Sequence, residues 1–226
     1  MNSNKKTGRM AGVILLLIFF LGITIFQFLQ GVFLFSEDFL ISVSENSIKL
    51  ILSVLLGILS GTASIVVAII LLPIFKKQHY SLAFLYVAFC ILNFITIIID
   101  NYGVISMLEF SKEYVKNTSD VSNSLKIMGT VLYQNHWWTH HFYLLISCFP
   151  VFVLYYILFV SKLIPRFLSV FGVIAVVLMF IQVLASIFGQ SISMDMLLPI
   201  ALIQLTLPIY LIFKGLKSSE LEIVSN

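Results

Sequence analysis

The chain has 226 residues, of which 60% are hydrophobic and only 10% charged, with a formal net charge of +3. A soluble domain carries about a quarter charged residues, so this composition excludes one, and so small and dispersed a charge gives no case for a nucleic-acid partner. A mean hydropathy of +1.09, gathered into runs of about 20 apolar residues or more, marks a polytopic membrane protein whose partner is the lipid bilayer.

Lys5, Lys6 and Arg9 precede a first apolar run over roughly Met10–Phe35. A signal peptide also begins with a basic stretch, but its apolar region is only about 7–15 residues and ends in a small-x-small cleavage site. This run is longer and lacks such a site, so it reads as a membrane span. Five more runs follow at roughly Ile48–Phe75, Ser81–Leu108, Thr130–Val160, Phe167–Gly189 and Leu197–Phe213. Hydrocarbon offers no water to the backbone, so each run must bond its own amides and carbonyls and is predicted to be a helix. The expected fold is all-α: a six-span transmembrane bundle forming one integral membrane domain over residues 1–226.

Lysine and arginine orient it. With a cytoplasmic N-terminus, nine basic residues fall inside: Lys5, Lys6, Arg9, Lys76, Lys77, Lys162, Arg166, Lys214 and Lys217. Only Lys49, Lys112, Lys116 and Lys126 fall outside. That bias places both termini in the cytoplasm of a multi-pass protein of the cell inner membrane. The polar 109–129 segment is the one sizeable loop, read as an external connection or a helical extension. Cys90 and Cys148 both lie inside apolar runs, where they read as small packing residues rather than as a disulfide framework.

The second span carries Gly57-x-x-x-Gly61 with Ser53, Ser60 and Ser64 nearby, a close-packing surface. In the third, Leu82–Ile99 covers about 27 Å at 1.5 Å per residue, which puts Asp100 and Asn101 at the outer boundary. The fourth span runs the other way, and the same count over Phe142–Val160 puts His140 and His141 at that boundary too. Trp137 and Trp138 beside them read as an aromatic belt. Tyr133, His136, His140, Tyr143 and Ser147 share one helical face, and His141 belongs to a neighbouring one. Asn93, Thr96 and Asp100 form a stripe on the third span, and Gln182 with Ser186 another on the fifth. Gln27 and Gln30 sit near the outer end of the first span, and Gln204 lies two turns into the last. All fall in the outer half, while the inner half is almost purely aliphatic and aromatic. Pro150 removes a backbone donor from the fourth span and predicts a kink there.

Polar groups facing lipid are unfavourable, so these stripes should face one another. They read either as interhelical glue or as the lining of a water-filled, outward-facing cavity, with Asn93, Asp100, His136, His140, Gln182 and Gln204 as candidate ligand-binding residues. His136 and His140, four apart, are able to chelate one ion. No Glu follows the first histidine, however, and catalytic zinc takes three protein ligands, so the expectation is no bound transition metal, no cofactor and no assigned catalytic residue. A proton-passing role is chemically open to histidine.

Three short motifs have a familiar look: Arg9-Met-Ala-Gly12, Leu163-Ile-Pro-Arg166-Phe-Leu168 and Phe213-Lys-Gly215. With the six spans, over nearly the whole chain, they resemble the bacterial membrane family catalogued as domain of unknown function 4386. The resemblance implies a histidine thirty residues before the Pro-Arg arginine, which is His136 here. It also implies an acid in the middle of the fifth span and another in the sixth. Gln182 and Gln204 stand at those positions, keeping hydrogen bonding and losing charge. Three functional readings stay open. The first is binding or passage of a small polar solute, ion or lipid headgroup through the cavity. The second is a structural or stress-related membrane subunit without a ligand. The third is an intramembrane metal-dependent enzyme built on His136, His140 and Asp100.

Overall fold

The computed structural model describes residues 3–116, 123–190 and 192–217. Its elements, in chain order, are α1 (Ser3–Thr24), a π-helical turn (Ile25–Gln30), α2 (Gly31–Leu34), α3 (Phe39–Glu45), α4 (Ser47–Gln78) and α5 (Tyr80–Lys116). They continue with α6 (Asn123–Val160), α7 (Arg166–Ile187), a 3-10 turn (Met194–Leu197) and α8 (Leu198–Lys214). Six stretches are long and apolar enough to cross a membrane: Asn4–Leu34, Ser47–Gln78, Tyr80–Lys116, Ser124–Val160, Arg166–Ile187 and Asp195–Lys214. This is the all-α, six-span bundle that the apolar runs predict.

The helices form a ring. Consecutive spans pack side by side from α1 to α4, α5, α6, α7 and α8, and α8 packs back on α1. Six cylinders about 10 Å across, set in a ring, leave a central gap about one helix wide. What occupies that gap differs between the two ends.

At the end where Lys5 and Lys217 lie, the gap is packed. Leu71, Phe75, Ala83, Ile157, Leu158, Leu163, Ile164 and Leu211 are all buried in one apolar cluster. Lipid is as apolar as these side chains, so it is tight van der Waals fit rather than water exclusion that holds the helices. Small residues permit that fit. A Cβ added at Gly12 would stand 2.8 Å from Leu211 Cβ and 2.9 Å from the Pro208 carbonyl oxygen, so α1 and α8 meet nearly backbone to backbone. Gly172 likewise lies against the ring of Tyr155.

Polar contacts tie the same end together. The Arg9 guanidinium donates to the Phe213 carbonyl at 3.3 Å, and the Lys217 amide donates to the Leu163 carbonyl at 2.9 Å. Gly215 closes α8 at φ +69°, where a Cβ would lie 2.7 Å from the Lys5 carbonyl oxygen. With ψ at −173° this backbone conformation is essentially limited to glycine, and the crowding calls for glycine too. Arg9–Gly12, Leu163–Leu168 and Phe213–Gly215, far apart in sequence, thus build one lock between the first helix, the α6–α7 turn and the end of the last helix.

The opposite end is built differently. Beyond Asp100 and His140, α5 and α6 continue for about four turns each. The extension of α5 is laced by Lys112–Glu109 at 2.7 Å and Lys116–Glu113 at 2.6 Å, both i,i+3 pairs on its surface. The 109–129 segment is therefore helical over 109–116 and 123–129, and 117–122 lie outside the described residues. The connection between the first two predicted spans contains α3, whose Leu40 and Val43 are buried. Val43 joins Leu34, Leu50, Val104, Met107 and Leu108 in a second, smaller apolar cluster that covers the ring at this end. Pro150 sits inside α6 without ending it, because its missing donor is a single bond in a helix held by neighbours.

Candidate functional site

The site begins with helical spacing. His136 and His140 are four apart on α6 and so stack on one face, with ring centroids 5.9 Å apart. The antiparallel neighbour α5 brings Asp100 between them. His136 Nδ1 lies 3.3 Å from Asp100 Oδ1 and His140 Nδ1 lies 3.3 Å from Oδ2, one carboxylate oxygen per ring. Thr139, three residues from His136 and hence on the same side, reaches Asp100 Oδ1 at 3.3 Å and the His136 carbonyl at 3.0 Å with its hydroxyl.

Burial separates the two rings. His136 is 2% exposed, and its Nδ1 has no hydrogen-bond partner although Asp100 Oδ1 is near. Distance is met there and angle is not. His140 is partly exposed, with Nδ1 within hydrogen-bond reach of Oδ2, and it faces a cavity of about 580 Å³. Asp100, Asn101, His140, His141, Gln182 and Ser186 supply that cavity's polar wall, and Ile25, Phe26, Ile97 and Leu144 supply apolar walls.

Three neighbours shape this wall. The Asn101 amide donates to the Val54 carbonyl of α4 at 3.3 Å, and a Cβ at Gly57 would stand 2.9 Å from Asn101 Nδ2. Gly57 therefore lets α4 close on α5 beside the cavity, as the Gly57-x-x-x-Gly61 spacing predicts. Gln182, 7% exposed on α7, lies 3.4 Å from the Ser186 hydroxyl. The π-helical turn contributes Phe26, which stacks on His140 at 6.2 Å and 16°, and buries Gln30. Its i→i+5 bonding shifts the helical face by one residue, and such turns are frequent at functional sites.

A second cavity of about 470 Å³ adjoins the first and shares Phe26, Ile97, Tyr143 and Leu144 with it. It runs down the ring axis to Tyr86 and Tyr155, and its lining is mainly apolar.

The structure thus brings Asp100, His136 and His140 into one cluster and places Gln182 in the adjoining wall. Asn93 and Gln204 lie apart from that cluster, lining the second cavity. His141 leaves the cluster as its helical face predicts: it stacks on Trp137 at 3.8 Å, and its Nδ1 donates to the Trp137 carbonyl at 2.8 Å. Counting ligands on α6 alone finds two; Asp100 makes a third, and Asp100, His136 and His140 offer ligand atoms that all lie within 4.8 Å of one another. Sequence reasoning missed Thr139, although its i+3 relation to His136 was a usable signal. It also missed Phe26, for which no signal exists, since nothing in the sequence announces a π-turn.

The sequence model of a family described as a domain of unknown function (DUF4386) matches residues 10–215. No curated protein and no solved structure matches the chain.

Proposed function

We propose that this chain, which belongs to the DUF4386 family, is an intramembrane binding protein of the cell inner membrane whose cavity holds the polar group of a small amphiphile. Both termini face the cytoplasm in this reading, so the cavity lies toward the outer surface, as the lysine and arginine bias supports. The observation that carries it is the cavity of about 580 Å³, into which a carboxylate, imidazoles and amides converge from several helices among apolar side chains. Ligand sites commonly measure about 300–1,000 Å³, apolar with a few convergent polar groups. The adjoining apolar space beside Tyr143 and Leu144 matches a tail, which favours a lipid-like molecule over a free polar solute.

Gly22 provides the test. It lines both cavities, and a Cβ there would meet nothing within 4 Å, so the side chain of Gly22→Leu starts into open space and takes up cavity volume. Native mass spectrometry of protein extracted from membranes should show a bound species on the wild type and lose it in Gly22→Leu. A lipid mass supports the amphiphile and a smaller mass a solute. An adduct-free wild type, or equal occupancy in both proteins, overturns the reading in favour of a structural subunit.

A further inference from the structure

Asp100 and His140 line the cavity of the binding reading, and together with His136 they form a cluster whose geometry points to a second occupant. We infer that these three side chains hold a borderline divalent transition-metal ion, of the zinc class, with an open coordination position facing the cavity.

Distance is the first argument. A charge-assisted N–H···O bond is about 2.7–2.9 Å, yet both imidazole–carboxylate separations are 3.3 Å. A tetrahedral ion with bonds of about 2.0–2.1 Å keeps its ligand atoms about 3.3 Å apart. Each imidazole nitrogen therefore stands at ligand-to-ligand spacing from one Asp100 oxygen, His136 from Oδ1 and His140 from Oδ2. One ligand atom from each of the three residues lies within 4.8 Å of the others.

The second argument is an orphan. His136 is 2% exposed and its Nδ1 has no hydrogen-bond partner. A buried polar atom without a partner calls for an explanation, and an ion is one of the few available. Nδ1 points to a metal with its lone pair, not a proton, so the poor hydrogen-bond angle to Asp100 is what a ligand nitrogen would show.

Donor type selects the ion. Two imidazoles and one carboxylate suit zinc, cobalt or iron, whereas calcium and magnesium take oxygen. Three protein ligands leave at least one position free, as in catalytic rather than structural sites. Asp100 and His140 both line the cavity, so that position is reachable from it. Thr139, bonded to Asp100 Oδ1, orients the carboxylate from outside the ligand set. An ion here would polarise a phosphate or carbonyl oxygen entering the cavity, though the proposal stands whether or not the cavity binds an amphiphile.

Cobalt(II) makes the test optical. Full-length protein, stripped with chelator and titrated with Co²⁺ in detergent, should bind one ion per chain with the visible d–d absorption of a four- or five-coordinate site, displaced by Zn²⁺. His136→Ala and Asp100→Asn should each weaken binding at least about a hundredfold, Thr139→Val by about tenfold, and His79→Ala, at the exposed α4–α5 turn, not at all. Retained helicity and a monodisperse elution profile identify the variants that fold. A wild type that takes up no stoichiometric Co²⁺ overturns the site, as does binding that survives His136→Ala or falls with His79→Ala.

Discussion

The two ends of the ring solve one geometric problem in opposite ways. Both face the gap that six helices leave at their centre. At the end of Lys5 and Lys217, large apolar side chains fill it and glycines draw the helices inward, with Gly12 against Leu211 and Pro208, and Gly172 against Tyr155. At the histidine end, the side chains that reach the axis are Asp100, His140 and Gln182, and the gap stays open as a cavity. The small cluster around Val43, Val104 and Met107 covers this end without filling it. The motifs that resemble the family, Arg9–Gly12, Leu163–Leu168 and Phe213–Gly215, all sit at the packed end. These three motifs are scaffold, and His140 lies about one bilayer thickness from them, since twenty residues of α6 separate His140 from Val160.

This contrast breaks most visibly at Gly12. Placing a leucine against the Leu211 side chain and the Pro208 and Ile212 backbone forces α1 away from α8, and overpacking of this kind should destabilise by about 3 kcal/mol. Denaturant unfolding in detergent measures it, and ligand occupancy per folded molecule should not change. If Gly12→Leu empties the cavity at unchanged stability, the division of labour between the ends is wrong.

A smaller effect is expected at Gly215. Alanine there must adopt φ +69° with its Cβ against the Lys5 carbonyl, which should lower stability by about 2 kcal/mol. The same unfolding measurement checks it. Asparagine should rescue no better than alanine, since φ +69° with ψ −173° is essentially limited to glycine; a full rescue would show that neither backbone conformation nor the Cβ contact matters there.

The smallest stability change belongs to the other end. Asp100→Asn keeps shape, exchanges one acceptor oxygen for a donor and removes a buried charge, so stability should fall by about 1 kcal/mol. Co²⁺ binding should nevertheless be lost. A variant that unfolds instead would make Asp100 a structural residue and place both ends of the ring under the same control.

The sequence by itself determined the class, the number of spans and the shared level of Asp100 and His140 along their helices. Each of these follows from a one-dimensional quantity: run length against bilayer thickness, and rise per residue along a helix. Helical periodicity also separated His141 from His136 and His140, because a face is a local property of one helix. Which faces meet is not local. That α8 returns to α1 and closes a ring, that Asp100 stands between two imidazoles, and that Asn93 and Gln204 line a different cavity from Gln182 all depend on helix rotation about its axis. Packing of neighbours sets that rotation. The π-turn that sets Phe26 on His140, and α3 folded over the site from a stretch read as a connection, depend on contacts with α5 and α6 that the local sequence does not encode. The shared level was legible because the rise per residue is the same in every helix; convergence was not, because it arises only when six helices pack together.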